Sequence, residues 1–109
     1  MTVKDVLSDS RFSALCTPND EREISGVYIG DLLSWVMGRA KADDAWITIM
    51  SNLNVIAVAS LADVSCVILA EGVTLEEEVL SVAKDKEINV ITSSLSAYDI
   101  AVFLHGALK

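Results

Sequence analysis

The stretch Val64-Ser65-Cys66-Val67-Ile68-Leu69-Ala70 constrains the fold of this chain more than any other. Its residues do not alternate between apolar and polar, as those of a half-solvated strand do. A strand that is apolar throughout is covered on both faces, which is the condition of strands in a parallel sheet between helices. Trp46-Ile47-Thr48-Ile49-Met50 is a second β-rich segment and Asn89-Val90-Ile91-Thr92 a short third. Between them lie Asn54–Ala62, an apolar helix dense in Ala and Val, and a helix with Leu75, Val79, Val82 and Ala83 on one face. Strand–helix alternation at this spacing indicates βαβ units and a largely parallel sheet.

The flanks extend this pattern. Thr2–Leu7 reads as a short helix capped by Thr2, and residues 11–17 and 22–29 as strands joined by the turn Thr17-Pro18-Asn19-Asp20. A helix starts at Gly30-Asp31, with Asp31 as its N-cap and Leu32, Leu33, Val36, Met37 and Ala40 as its apolar stripe. Thr74 and Glu77 have the spacing of a capping box. A last helix begins near Ser96, with Ile100, Ala101, Leu104 and Leu108 on one face. The expected fold is α/β: a single domain over residues 1–109, with a largely parallel central sheet flanked by helices and an N-terminal helix and strand extension.

In open parallel sheets, ligands bind beyond the carboxyl ends of the strands. Three loops fall there, Ser51-Asn52-Leu53-Asn54, Glu71-Gly72-Val73-Thr74 and Ser93-Ser94-Leu95-Ser96, and Gly30-Asp31 joins them from the first crossover. Each precedes a helix and so offers unpaired N–H groups at the positive end of a dipole. Gly30, Asp31, Ser51, Asn52, Asn54, Gly72, Ser93 and Ser94 are therefore the candidate ligand-binding residues. The same residue types are also what helix capping alone requires, each contributing ~1 kcal/mol. No Lys or Arg accompanies them, and Asp31 and Glu71 would repel an anion, which disfavours a strong nucleotide-triphosphate site.

No constellation of acid, base and nucleophile is present. His105, the one histidine, lies near a helix end, where the dipole favours it. Glu76-Glu77-Glu78 suits the first turn of a helix, and no His or Cys joins it as a metal set. Cys16 and Cys66 form neither a metal motif nor a disulfide framework, and Cys66 reads as a small buried hydrophobe. There is no Gly-rich phosphate loop, no G-x-S-x-G elbow and no H-E-x-x-H. The expectation is a non-enzyme with no catalytic residues, no metal and no cofactor. The formal net charge of −8, with eight scattered basic residues, argues against a nucleic-acid binder. No uninterrupted apolar run approaches ~18 residues and no signal-peptide pattern opens the sequence, so a cytoplasmic protein without membrane association is expected.

At 109 residues the chain has room for one core, yet 52% of it is hydrophobic even without glycine, above the roughly 45–50% usual with glycine counted. A sheet covered on both sides, or a partner subunit, accommodates that surplus. Trp35 and Trp46 are large anchors, and either one, if exposed, becomes a candidate interface hot spot.

The segment Glu21–Met37, containing Gly30-Asp31-Leu32-Leu33-Ser34-Trp35-Val36-Met37, resembles the DRTGG domain family, in particular small stand-alone members labelled as related to the serine kinase of the HPr protein. The likeness continues through Ala45–Ile49, Asn54–Ala59 and Leu95–Asp99 and covers nearly the whole chain. It implies a regulatory or dimerising module, since such domains occur alone, beside CBS domains in regulatory pyrophosphatases and before phosphotransacetylase catalytic domains. The family's Asp-Arg pair and Thr-Gly-Gly fall on Asn52-Leu53-Asn54 and Ala70-Glu71-Gly72, where Gly72 alone is kept. The resulting expectation is a non-catalytic regulatory or scaffold module that homodimerises or docks on a partner protein. A sensor for a nucleoside or nucleotide-like small ligand at the strand-end loops is the open alternative.

Overall fold

The computed structural model describes residues 1–108. In chain order the elements are α1 (Val3–Leu7), β1 (Phe12–Cys16), β2 (Gly26–Ile29), α2 (Leu33–Arg39), β3 (Asp44–Thr48), α3 (Leu53–Ala62), β4 (Cys66–Leu69), α4 (Glu77–Asp85), β5 (Val90–Ser93) and α5 (Ala97–Leu108). They build one five-stranded sheet in the order β1-β5-β4-β3-β2. β2, β3, β4 and β5 run parallel, and β1 joins β5 antiparallel with a bulge between Ala14 and Cys16. The expected α/β class and largely parallel sheet are what the chain adopts.

Burial on both faces explains the unbroken apolar strands. On β4, Val67 and Leu69 face one core with Trp46 of β3, while Cys66 and Ile68 face the other with Ile47 and Ile91. The first core is closed by α2, α3 and α4 through Val36, Val55, Ile56, Ala59, Val79 and Ala83. The second is closed by α1 and α5 through Val3, Val6, Ile100 and Leu104. α2, α3 and α4 lie on one face because β2 to β5 are laid down side by side in one direction, and crossovers of one hand then return on one side.

Several local expectations are corrected. The expected strand 22–29 is only β2: Glu23 instead pairs with Thr2 in an isolated bridge, and Ile24 donates its N–H to the Met1 carbonyl at 2.8 Å. The expected strand 64–70 narrows to β4, and Ser93, expected in a loop, is the last residue of β5. Asp31 does not cap α2; Leu32 occupies that position without a side-chain bond. The Thr74–Glu77 capping box does not form either, because α4 starts only at Glu77, with Glu76 before it and no side-chain cap. The Thr2 cap does form, reciprocally: Asp5 N–H donates to Thr2 Oγ1 at 3.2 Å and Thr2 N–H to Asp5 Oδ2 at 2.8 Å.

At the amino ends of the parallel strands, Arg22 clasps the turns that lead into β3 and β4. Its Nη2 donates to Asp43 Oδ1 at 2.9 Å, to Asp63 Oδ1 at 3.0 Å and to the Asp63 carbonyl at 2.7 Å. Both aspartates sit at positive φ, 68° and 57°, a region short polar residues tolerate. Asn89 fastens the same end from inside, accepting from Asn19 N–H and donating to the Asn19 and Ser65 carbonyls.

Candidate functional site

The strand order contains no reversal from β2 to β5, so this sheet has no topological switch point to open a crevice between its carboxyl ends. What the loops do instead is bond to one another. Asp31 turns back across the end of β3: its Oδ1 accepts from Thr48 Oγ1 at 2.7 Å and from Ile49 N–H at 3.0 Å. The preceding Gly30 carbonyl accepts the indole Nε1–H of buried Trp46 at 2.9 Å. Sequence reasoning placed Asp31 at a helix start because Asp before an apolar run is a cap signal; its true partners are seventeen and eighteen residues away.

Ser93 is buried and its hydroxyl is used twice, donating to the Arg11 carbonyl at 2.8 Å and accepting from Leu95 N–H at 3.1 Å. Glu71 and Gly72 enter a left-handed turn at φ 59° and 74°, and their N–H groups donate to the Leu95 and Ser93 carbonyls. Two residues in succession at positive φ explain why glycine stands at 72. Asn52 is the N-cap of α3, its Oδ1 accepting from Asn54 N–H at 2.9 Å. The Asn54 and Ser94 side chains are exposed. Ser96 caps α5 through Asp99 N–H at 3.1 Å.

Of the eight candidate residues, Ser51 and Asn52 line a cleft. It is about 470 Å³, set between the β3–α3 loop and the start of α4, and the rest of its wall is Leu53, Glu76, Glu78, Val79 and Val82. Gly30, Asp31, Asn54, Gly72, Ser93 and Ser94 do not border it. The cleft combines an apolar floor with two carboxylates and no cation, so it suits an uncharged or cationic group better than a phosphate. Glu76, Glu78, Val79 and Val82 were missed because they belong to the next helix, and only the packing of α4 against α3 brings them beside Asn52.

Neither cysteine is poised for chemistry. Both are free and buried, burial raises the Cys16 thiol pKa, and burial pushes Cys66 up to about 12. Among the described residues no group of three or more His, Cys, Asp or Glu converges as a metal set, and no helix is long and apolar enough to cross a membrane. His105 lies exposed in the last turn of α5.

A second surface stands out at the free edge of the sheet. Among the described residues β2 pairs only with β3, and beside it Ile29, Leu32 and Trp35 are each half or more exposed. The Arg39 guanidinium lies 3.9 Å over the Trp35 ring. Trp46 thus fills the core, while Trp35 faces solvent.

A model of the DRTGG domain family matches residues 12–107. The chain belongs to the DRTGG domain family. This DRTGG domain is similar to the crystal structure of the CBS and DRTGG domains of the regulatory region of Clostridium perfringens pyrophosphatase complexed with activator, diadenosine tetraphosphate, with a TM-score of 0.68 and 19% identity. The match covers 92% of this chain and 43% of that one, so the DRTGG domain described here spans less than half of that chain's length. At that identity the likeness establishes the shared fold. A search of curated proteins finds no match to the chain. Within the family fold, the loops where the family's Asp-Arg and Thr-Gly-Gly were expected are the α3 cap at Asn52 and the left-handed turn at Glu71-Gly72.

Proposed function

We propose that this DRTGG domain is a non-catalytic regulatory module that works as a homodimer. The observation that carries the reading is the half-exposed Trp35 with Ile29 and Leu32 beside an unpaired strand, in a chain whose strand-end polar groups are largely engaged by its own backbone. Apolar side chains clustered at one edge of a small domain are what a partner covers, and a second copy is the partner always at hand. The family's regulatory settings agree with it. Size-exclusion chromatography with light scattering tests it: the expected mass at micromolar concentration is twice the 11.7 kDa of the chain. A wild type that stays a strict monomer as its concentration is raised sinks the homodimer reading.

One observation favours a second reading, a ligand sensor. The cleft at Ser51, Asn52 and Leu53 is large enough for a nucleoside, and the similar pyrophosphatase region is complexed with a dinucleotide activator. Because Glu76 and Glu78 rim the cleft, an uncharged nucleoside should raise the melting temperature more than its triphosphate does, since a ligand of the native state must stabilise it. A thermal-shift series flat for both refutes this reading.

A further inference from the structure

The geometry points to β2 as the surface on which two copies of this chain join: an antiparallel β2–β2 pairing about a two-fold axis that makes one continuous ten-stranded sheet. It rests on the homodimer reading above and names the interface.

The two sheet edges differ. β1 carries a bulge between Ala14 and Cys16 and leads directly into Thr17-Pro18, features that blunt a strand against pairing. β2, Gly26-Val27-Tyr28-Ile29, has no charge, no proline and no bulge. Among the described residues, Thr2 and Met1 pair with Glu23 and Ile24 and make no bond to β2. Gly30 N–H donates to the Ile47 carbonyl of β3, and alternate residues of a strand face the same neighbour. Tyr28 and Gly26 therefore face β3, and Val27 and Ile29 turn their backbone N–H and C=O groups to the open side. In an antiparallel two-fold pairing centred on Tyr28, Val27 meets Ile29 of the second copy and the reverse, and each such pair exchanges two backbone hydrogen bonds.

The surroundings fit a second copy. A groove of about 360 Å³ runs along this edge, walled by Gly26, Val27, Tyr28, Arg39, Lys41 and Asp44. Asp44 is already held, its Oδ2 accepting from Lys41 N–H at 2.8 Å, whereas neither the Arg39 nor the Lys41 side chain pairs with an acid among the described residues. The opposite end of the edge carries Asp31. Antiparallel pairing brings the Arg39–Lys41 end of one copy to the Asp31 end of the other, where Asp31 is held through Oδ1 by Thr48 and Ile49 and a cation of the second copy would meet its other oxygen.

The area also matches. On one face of the edge stand Leu32 and Trp35, the latter stacked under the groove residue Arg39. On the other face α5 packs over β2 and β3, with Phe103 turned to Phe12 of β1 and Tyr98 on the far flank, about 140° around the helix. Ile29, Leu32, Trp35 and Tyr98 are 51%, 56%, 52% and 75% exposed. At roughly 200 Å² for a large side chain this is about 450 Å² of apolar surface, which is the apolar share of a standard ~800 Å² half-interface.

Two variants measured beside the wild type decide it. Ile29→Pro deletes an N–H that makes no bond among the described residues, which an edge strand tolerates, and removes two of the four inter-copy bonds. By sedimentation it should weaken dimerisation about 30- to 100-fold while circular dichroism stays that of the folded protein. Tyr28→Cys places two cysteines across the axis within disulfide reach, and oxidation should give a covalent dimer on a non-reducing gel. A wild-type dimer whose dissociation constant is unmoved by Ile29→Pro, and which gives no Tyr28→Cys crosslink, overturns the β2 interface and leaves the homodimer reading standing. A wild type that stays monomeric at 100-fold higher concentration overturns both.

Discussion

Asp31→Ala separates two roles that the same carboxylate could play. In the structure its Oδ1 bridges Thr48 Oγ1 and Ile49 N–H, tying the β2–α2 loop to the end of β3. Thr48 is 2% exposed, so its hydroxyl loses a charged acceptor it cannot replace with water. A hydrogen bond to a charged group contributes about 1.5–3 kcal/mol, and the exposed Ile49 N–H recovers most of its share from solvent. The expected loss is about 2–3 kcal/mol, or a fall of about 10–15 °C in Tm for a domain of this size. Urea denaturation followed by circular dichroism, at one fixed protein concentration because dimerisation adds to apparent stability, measures it. Asp31→Asn keeps an acceptor oxygen and should lose about half as much. Asp31→Ser is the deciding variant. Serine is as good a helix cap as aspartate but too short to reach Thr48, so it should behave like alanine. A serine variant as stable as wild type, or an alanine variant within about 0.5 kcal/mol of it, would falsify the bridging role.

Asn89→Ala should cost about 2–4 kcal/mol in the same assay, since it strands the Asn19 and Ser65 backbone groups in a site where Asn89 itself is 3% exposed. Asn52→Ala should cost about 1 kcal/mol with Asn52→Asp near neutral, as for any N-cap, whereas Asn54→Ala should be silent because only its N–H is used. The side-chain and backbone hydrogen bonds from Arg11 hold the Asp9 carboxyl down at about 2, below its ordinary 3.8. Its contribution to stability is therefore complete above about pH 4 and fades as pH falls toward 2. Asp9→Asn should flatten that part of the acid-unfolding curve by lowering stability slightly above about pH 4 while leaving it unchanged near pH 2, where the wild-type carboxyl is itself protonated; an unaltered curve between pH 2 and 4 would show that the Arg11 pair persists only transiently.

The gap between sequence and structure at the candidate site has a physical pattern. Asn52, Ser96 and Thr2 were readable as caps because a cap binds a backbone N–H two or three residues ahead. Asp31 and Ser93 have the same residue types, and their partners lie across the sheet at Thr48, Ile49 and Arg11. Thr74 and Glu77 have capping-box spacing, but Gly72 sits in a left-handed turn and α4 begins too late to use it. Local spacing states what a side chain is able to do, and the register of neighbouring strands decides whether something better is within reach.

Periodicity alone determined the class of this protein. Strands such as Cys66–Leu69 that are apolar on every residue demand cover on both faces, and the helical stripes between them supply it. Composition determined an apolar content above the usual, which a sheet covered on both faces or a partner subunit accommodates. Which surface is left over was decided only by tertiary structure. Trp35 and Trp46 are equivalent as residues, yet Trp46 lies on β3, enclosed by α2 and α3, and Trp35 lies on the outer flank of α2 beside the last strand of the sheet. Strand order is set by contacts between residues far apart in the chain, and no local pattern in Gly26–Ile29 announces that no described strand pairs on its far side.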